Sequence, residues 1–294
     1  MSDLSVTNEA PREIKLDRET FEPRALKSAI LTGLTWTATI LASLPLFSVI
    51  FMLIVEGGSR LDLEAITEIP PSAFEQGGGF GNAIVGTLVM VGIAALISVP
   101  FGLMAAIYLA ILEPTSKVAS TTRFLAKTLT GFPSILAGVF TYAVLVISFG
   151  YSAVAGGVAL AVLMLPTVLL AAEEAMRQVP QRMKDAAYGM GCTRTQVITK
   201  VVLPTGMPGI TTGVLLAVAG AAGESAPLLF TALFSSYYLE ELMEPTASLS
   251  ILIYNFSAMP FDNQIQLAWA ASLVLVLIVL VFNILARLLG QPKV

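Results

Sequence analysis

One carboxylate stands apart in this chain. Glu224 is the one charged residue in an apolar stretch that runs from Pro208 to Phe234, and Ser225 and Pro227 follow it closely. Keeping a carboxylate in hydrocarbon costs several kcal/mol unless it faces a cavity or an opposite charge, so the side chain is expected to point into a bundle of helices. Pro227 has no backbone donor. It frees the carbonyl of Gly223 beside the carboxylate and favours a local break in the helix. A carboxylate is a poor ligand for an anion, so the chemistry expected of Glu224, with Ser225 and Pro227, is an ion pair or a gate.

A second joint is expected at Gly131-Phe132-Pro133-Ser134. A break at Gly131 and Pro133, with Thr130 and Ser134 beside it, would turn backbone and hydroxyl groups toward a passage, although packing by small residues explains the same stretch equally well. Lys127, just before it, is either a counter-charge for Glu224 or a side chain that snorkels to lipid headgroups. Other chemistry is poorly provided for. With no histidine and one cysteine, Cys192, the chain lacks the means for a disulfide framework or a Cys/His metal site. No G-x-x-x-x-G-K-[ST] phosphate loop occurs, so ATP is not expected to be bound and hydrolysed here in that manner. Sixteen basic and twenty acidic residues leave no basic patch for a nucleic acid.

These residues need elements to hold them. The chain is 56% hydrophobic and 12% charged, which suits lipid and not water. A bilayer core needs roughly 20 apolar residues per helix, and six stretches meet that length: Ala29 to Val55, Asn82 to Leu112, Thr128 to Phe149, Tyr151 to Ala172, Pro208 to Phe234 and Gln264 to Ala286. An all-α integral membrane protein with about six transmembrane helices is the expected fold class. Residues 1–27 carry both charge signs and no apolar core of the length a cleaved signal needs, so they read as a retained N-terminal tail before a membrane domain over 28–294. Placing both termini in the cytoplasm leaves only Arg60 of the sixteen basic residues outside, which fixes the expected orientation.

The outer loops then come out acidic, with Glu56, Asp62, Glu64, Glu68 and Glu75 in one and Glu240, Glu241, Glu244 and Asp262 in the other. The apolar run from Ala247 to Met259 is too short to span and is expected at the interface or slightly re-entrant. Tyr237, Tyr238, Tyr254 and Phe256 fit an interfacial aromatic belt. Gly77, Gly78, Gly79 and Gly81 read as a flexible entry to the second helix.

The loop between the fourth and fifth spans reads DAAYGMGCTRTQVITKVVLP from Asp185 to Pro204. Asp185, Ala186 and Ala187 belong to a short helix whose small side chains allow another protein to approach closely. Gly191 permits a turn that a side chain would hinder. Thr193, Arg194 and the residues up to Lys200 can form a second short helix, with Leu203 and Pro204 expected to end it before the next span.

That spacing resembles the EAA motif of ABC importer permeases, with Asp185 where the family has Glu and Val201 where it has Ile. Five stretches extend the likeness to the PstA-type permease of phosphate importers, in the binding-protein-dependent transport system inner membrane component family: Asn82 to Ala110, Gly131 to Gly138, Glu173 to Gly191, Ala222 to Leu233 and Gln266 to Val276. The resemblance implies a type I importer permease fold, a non-catalytic subunit and a coupling helix at Asp185 to Pro204 that seats in an ATPase. It also implies the partners: a second homologous permease of PstC type, two ATPase subunits of PstB type that bind ATP and Mg, an extracytoplasmic phosphate-binding protein of PstS type, and the bacterial inner membrane lipid. Some family members carry an arginine four residues before the glutamate, where the two could pair on one helix face. Here that position is Gly220. The residues leave open an ABC permease for sulfate, molybdate or another solute, a proton-coupled carrier using Glu224, and a membrane anchor for a soluble ATPase.

Overall fold

The computed structural model describes residues 23–289, so most of the expected 1–27 tail lies outside the described residues. Every regular element among the described residues is a helix. That is how an apolar chain satisfies its backbone where water is absent. The chain divides into two units, the first ending at Phe51 and the second beginning at Met52. The described part of the first is α1 (Pro23–Met52), with Pro45 inside it, short of its last residue.

The second unit opens on a widened π-helical turn, Leu53–Gly57, and the short helix α2 (Leu63–Thr67). α3 (Gly81–Ile107) runs on through a π-turn at Tyr108–Leu112. α4 (Lys117–Thr130) and α5 (Ser134–Thr141) follow, and α5 continues through Tyr142–Val146 into α6 (Ile147–Phe149). Next come α7 (Ala153–Arg177), α8 (Gln181–Gly189) and α9 (Arg194–Val197). α9 passes through a π-turn at Ile198–Val202 into α10 (Leu203–Ala222), and α11 (Ala226–Leu229), α12 (Leu249–Ser257) and α13 (Asp262–Leu289) complete the order. Among the described residues five helical runs are long and apolar enough to cross a membrane, and a sixth crossing arises if the bent pair of α4 with α5 and α6 is one span.

Four expectations need correction. The third span is not one helix from Thr128, because α4 and the α5–α6 run meet at a 105° bend. Gly131 closes α4, and Pro133 both lacks a donor and forces Phe132 out of helical geometry. The short apolar run 247–259 does not present its apolar side chains outward: Leu249, Ile251, Leu252 and Phe256 of α12 are buried in the core, which removes Phe256 from any aromatic belt. The glycine-rich entry to α3 is pinned, with Gly78 N–H donating to Glu64 Oε1 at 2.7 Å and Gly79 N–H to the Ile69 carbonyl at 2.9 Å. Finally, Leu203-Pro204 ends nothing. Leu203 N–H reaches back five residues to the Ile198 carbonyl, and the helix widened there accommodates Pro204, which has no N–H of its own to place.

α3, α7 and α10 make the centre of the second unit, with Met90, Leu160, Met164, Val168, Val218 and Leu228 buried together. Close approach depends on small residues, since apolar side chains gain nothing by leaving lipid and packing alone holds helices together. Gly209 and Gly213 of α10 lie against Ala175 and Ala171 of α7 at matching four-residue spacing. Gly213→Leu therefore wedges α7 from α10. Overpacking of this kind costs about 1–3 kcal/mol, and the thermal unfolding midpoint of the detergent-purified protein should fall, while Gly220→Leu, into open space, should leave it nearly unchanged.

Candidate functional site

The two joints read from the sequence meet in the fold. α10 stops at Ala222 and α11 starts at Ala226, so Glu224 sits in a break between helices and not inside one. Ser225 is the residue that leads into α11, and Pro227 is buried in its first turn. α5 begins directly after the other break, with Pro133 before Ser134. The two short helices touch where Gly138 faces Pro227: a Cβ on Gly138 would stand 2.6 Å from Pro227 Cα.

Between the joints lies a cavity of about 220 Å³, and Thr130, Ser134, Thr167, Gly220 and Glu224 are among its lining residues. Leu163 and Thr167 also line it. They stand about 15–21 Å along α7 from its start, at roughly 1.5 Å per residue, so the cavity is near the middle of a span. Its polar lining is hydroxyls and one carboxylate. Among the described residues neither Glu224 nor Lys127 joins an ion pair, and Lys127 does not line the cavity. Gly220 leaves room where a side chain would project, because a Cβ there would meet nothing within 4 Å.

A break in mid-span strands backbone groups that must find partners in protein. α12 supplies one. Ser250 Oγ donates to the Glu224 carbonyl at 2.9 Å, and Ser248 Oγ lies 3.0 Å from Ser250 Oγ while also capping α12 through Ile251 N–H. α12 is in turn fixed to α3, where Leu249 N–H donates to Thr87 Oγ1 at 2.9 Å.

The loop from Asp185 to Pro204 forms a helix-turn-helix. Asp185, Ala186 and Ala187 lie on α8, with Ala187 buried and the Asp185 carboxylate accepting from Gln181 Nε2 at 2.9 Å. Gly191 makes the turn at φ +83°, in the left-handed region that favours glycine. Thr193 then caps α9: Gln196 N–H donates to the Thr193 side chain, and Thr193 N–H donates to Gln196 Oε1 at 2.8 Å. Arg194 reaches across to the end of the α3 run, donating to the Ile111 carbonyl at 2.8 Å and to the Leu112 carbonyl. Leu203 and Pro204 are inside a helical run that is continuous from Arg194 to Ala222.

Sequence reading missed a buried ionic centre. Glu173 of α7 is 4% exposed, and its Oε1 accepts from Arg123 Nε at 2.6 Å, with Arg177 Nε 3.5 Å away. The i,i+4 spacing of Glu173 and Arg177 at the end of an apolar helix was the available signal. Nothing local marks Arg123, fifty residues earlier, as the main partner.

Residues 98–292 match the family described as binding-protein-dependent transport system inner membrane component. The chain is 38% identical over 274 residues to the phosphate transport system permease protein PstA of Pasteurella multocida, covering 93% of this chain and 98% of that one. It is 40% identical over 260 residues to a probable phosphate transport system permease protein PstA of Methanocaldococcus jannaschii, covering 87% and 91%. In fold it is similar to a chain of a bacterial alginate ABC transporter solved with an alginate pentasaccharide-bound periplasmic protein (TM-score 0.64, 15% identity, 93% and 98% covered). It is also similar to a chain of the inward-facing MetNI methionine ABC transporter (TM-score 0.59, 18% identity, 72% and 94% covered).

The turn at Gly191 is open to test without reference to any partner. Gly191→Val brings a strain of about 1–2 kcal/mol for a left-handed backbone but no clash, since nothing lies within 4 Å of the added Cβ. Amide hydrogen exchange over residues 181–197 should rise in Gly191→Val and stay near the parent rate in Gly191→Asn.

Proposed function

This chain belongs to the binding-protein-dependent transport system inner membrane component family, and on that premise we propose that it is the permease subunit of an ATP-driven importer of inorganic phosphate. The observation that carries the substrate is likeness over about nine-tenths of the chain to relatives named as phosphate transport permeases. Its partners in this reading are a homologous PstC-type permease, two PstB-type ATPases carrying ATP and Mg, and a PstS-type phosphate-binding protein on the outer side. Both termini and the Asp185–Pro204 loop face the cytoplasm, a reading supported by where the basic residues fall.

The geometry suits such a machine. The ATPases grip the loop around Asp185 to Ala187, where Tyr188 and Met190 are exposed. The helical run from Arg194 to Ala222 is an unbroken rod of 29 residues, about 43 Å long at roughly 1.5 Å per residue. One end is the loop and the other is the break at Glu224. Movement of the loop is thereby delivered to the joint that bounds the cavity, and nucleotide state biases a two-state element. No chemistry on phosphate is required of this chain. The cavity carries a carboxylate and no basic side chain among its lining residues, so Glu224 serves the gate and not the anion.

In proteoliposomes holding the assembled complex, labelled phosphate should accumulate with ATP, withstand a hundredfold excess of sulfate or molybdate, and persist when the proton gradient is dissipated. Glu224→Gln should lower uptake at least tenfold at unchanged complex yield. Uptake that follows the proton gradient and ignores ATP would count for a proton-coupled carrier, and ATP hydrolysis without solute movement for a mere membrane anchor.

A further inference from the structure

All three guanidinium nitrogens of Arg123 are engaged. Its guanidinium donates from Nε to Glu173 Oε1 at 2.6 Å, from one terminal nitrogen to the Pro114 carbonyl at 2.8 Å and from the other to the Leu109 carbonyl at 2.6 Å. One side chain on α4 thus holds the end of the α3 run, the turn after it and the far part of α7. The Arg194 side chain, from the helix-turn-helix loop, grips the same end of α3 through the Ile111 and Leu112 carbonyls. The last carbonyls of a helix have no partners within it, and here two arginines from different elements share them.

We infer that Arg123 is a positioning residue for transport: it relays displacement of the loop, received at the end of α3 from Arg194, to α4 and so to the bend at Gly131–Pro133. α4 ends at Thr130 and the next helix starts at Ser134, both on the cavity wall. The loop therefore reaches the cavity by two routes. The α9–α10 rod moves the Glu224 side, and the arginine pair moves the opposite side. A buried ion pair is a weak source of stability, since well-packed apolar replacements are often neutral. Replacing Arg123 and Glu173 together by apolar residues is accordingly expected to keep the fold, and the expected loss is in coupling. The relay rests on the importer reading for its direction, from ATPase to cavity.

The test uses the assembled complex with Cys192→Ser and a fluorescent thiol probe at one of two exposed sites, Thr128→Cys on α4 or Met190→Cys on the loop. In the parent, ATP should change the emission of both probes. In Arg123→Met with Glu173→Met, the loop probe should still respond while the α4 probe loses at least four-fifths of its response, and uptake per ATP hydrolysed should fall at least fivefold. An α4 probe that responds at parental amplitude in the double variant, or not at all in the parent, overturns the relay. Should the double variant fail to assemble, Arg123→Lys decides. It keeps the charge opposite Glu173 but does not hold three acceptors in the same fork, so the α4 response should drop at least twofold, and a parental response refutes the inference. The probes need no solute. A parent complex that moves no phosphate while both probes respond refutes the substrate and leaves the relay standing.

Discussion

Backbone that leaves a helix at mid-membrane depth must be satisfied by protein, and this constraint organises the second unit. The break at Gly223–Ser225 exists because Pro227 frees a carbonyl nearby, and it is tolerated because α12 brings Ser250 to the Glu224 carbonyl. α12 is too short to span, yet it is buried and tied to α3 through Thr87. The second break, at Gly131–Pro133, is placed against the first by the Gly138–Pro227 contact. Two interruptions that would each be costly in lipid border a small cavity of mixed lining when placed together, with Thr130, Ser134, Thr167 and Glu224 as its polar members.

The same economy is visible at the loop end. α3 runs out in a π-turn whose carbonyls are taken up by Arg123 and Arg194. Glu173 completes the arrangement by holding Arg123 in place. The helix-turn-helix is therefore fastened to the membrane helices both covalently, by the continuous run from Arg194 to Ala222, and through a side chain, by Arg194 on the end of the α3 run. A push on it has somewhere to go.

Much of this was legible in the sequence where the cause was local. The break beside Glu224 followed from a proline three residues on, the helix on either side of Gly191 from spacing, and the all-helical class from composition. The readings that failed needed tertiary information. Residues 117–130 carry too many polar groups to register as a span, and their helix is marked by the Ser116 cap and the Gly131 stop, which a search for apolar stretches passes over. The buried carboxylate escaped because a search for uncharged stretches ends the fourth span at Ala172, one residue before it, whereas α7 continues to Arg177. α12 was misplaced because length excludes a crossing but says nothing of burial. Pro204 misled for a physical reason: a π-turn just before it accommodates a missing donor that an α-helix would not.

A passage through this chain requires that the paired breaks border water in the working protein. The direct measurement is reaction of single cysteines with a membrane-impermeant thiol reagent in the assembled complex, with Cys192→Ser as background. Ser134→Cys and Gly220→Cys, on the cavity wall, should react in one nucleotide state and be protected in the other, while Val276→Cys and Leu280→Cys on the apolar side of α13 stay silent in both. Silence at 134 and 220 in every state would contradict the account, since the two breaks would then be packing features with no passage between them.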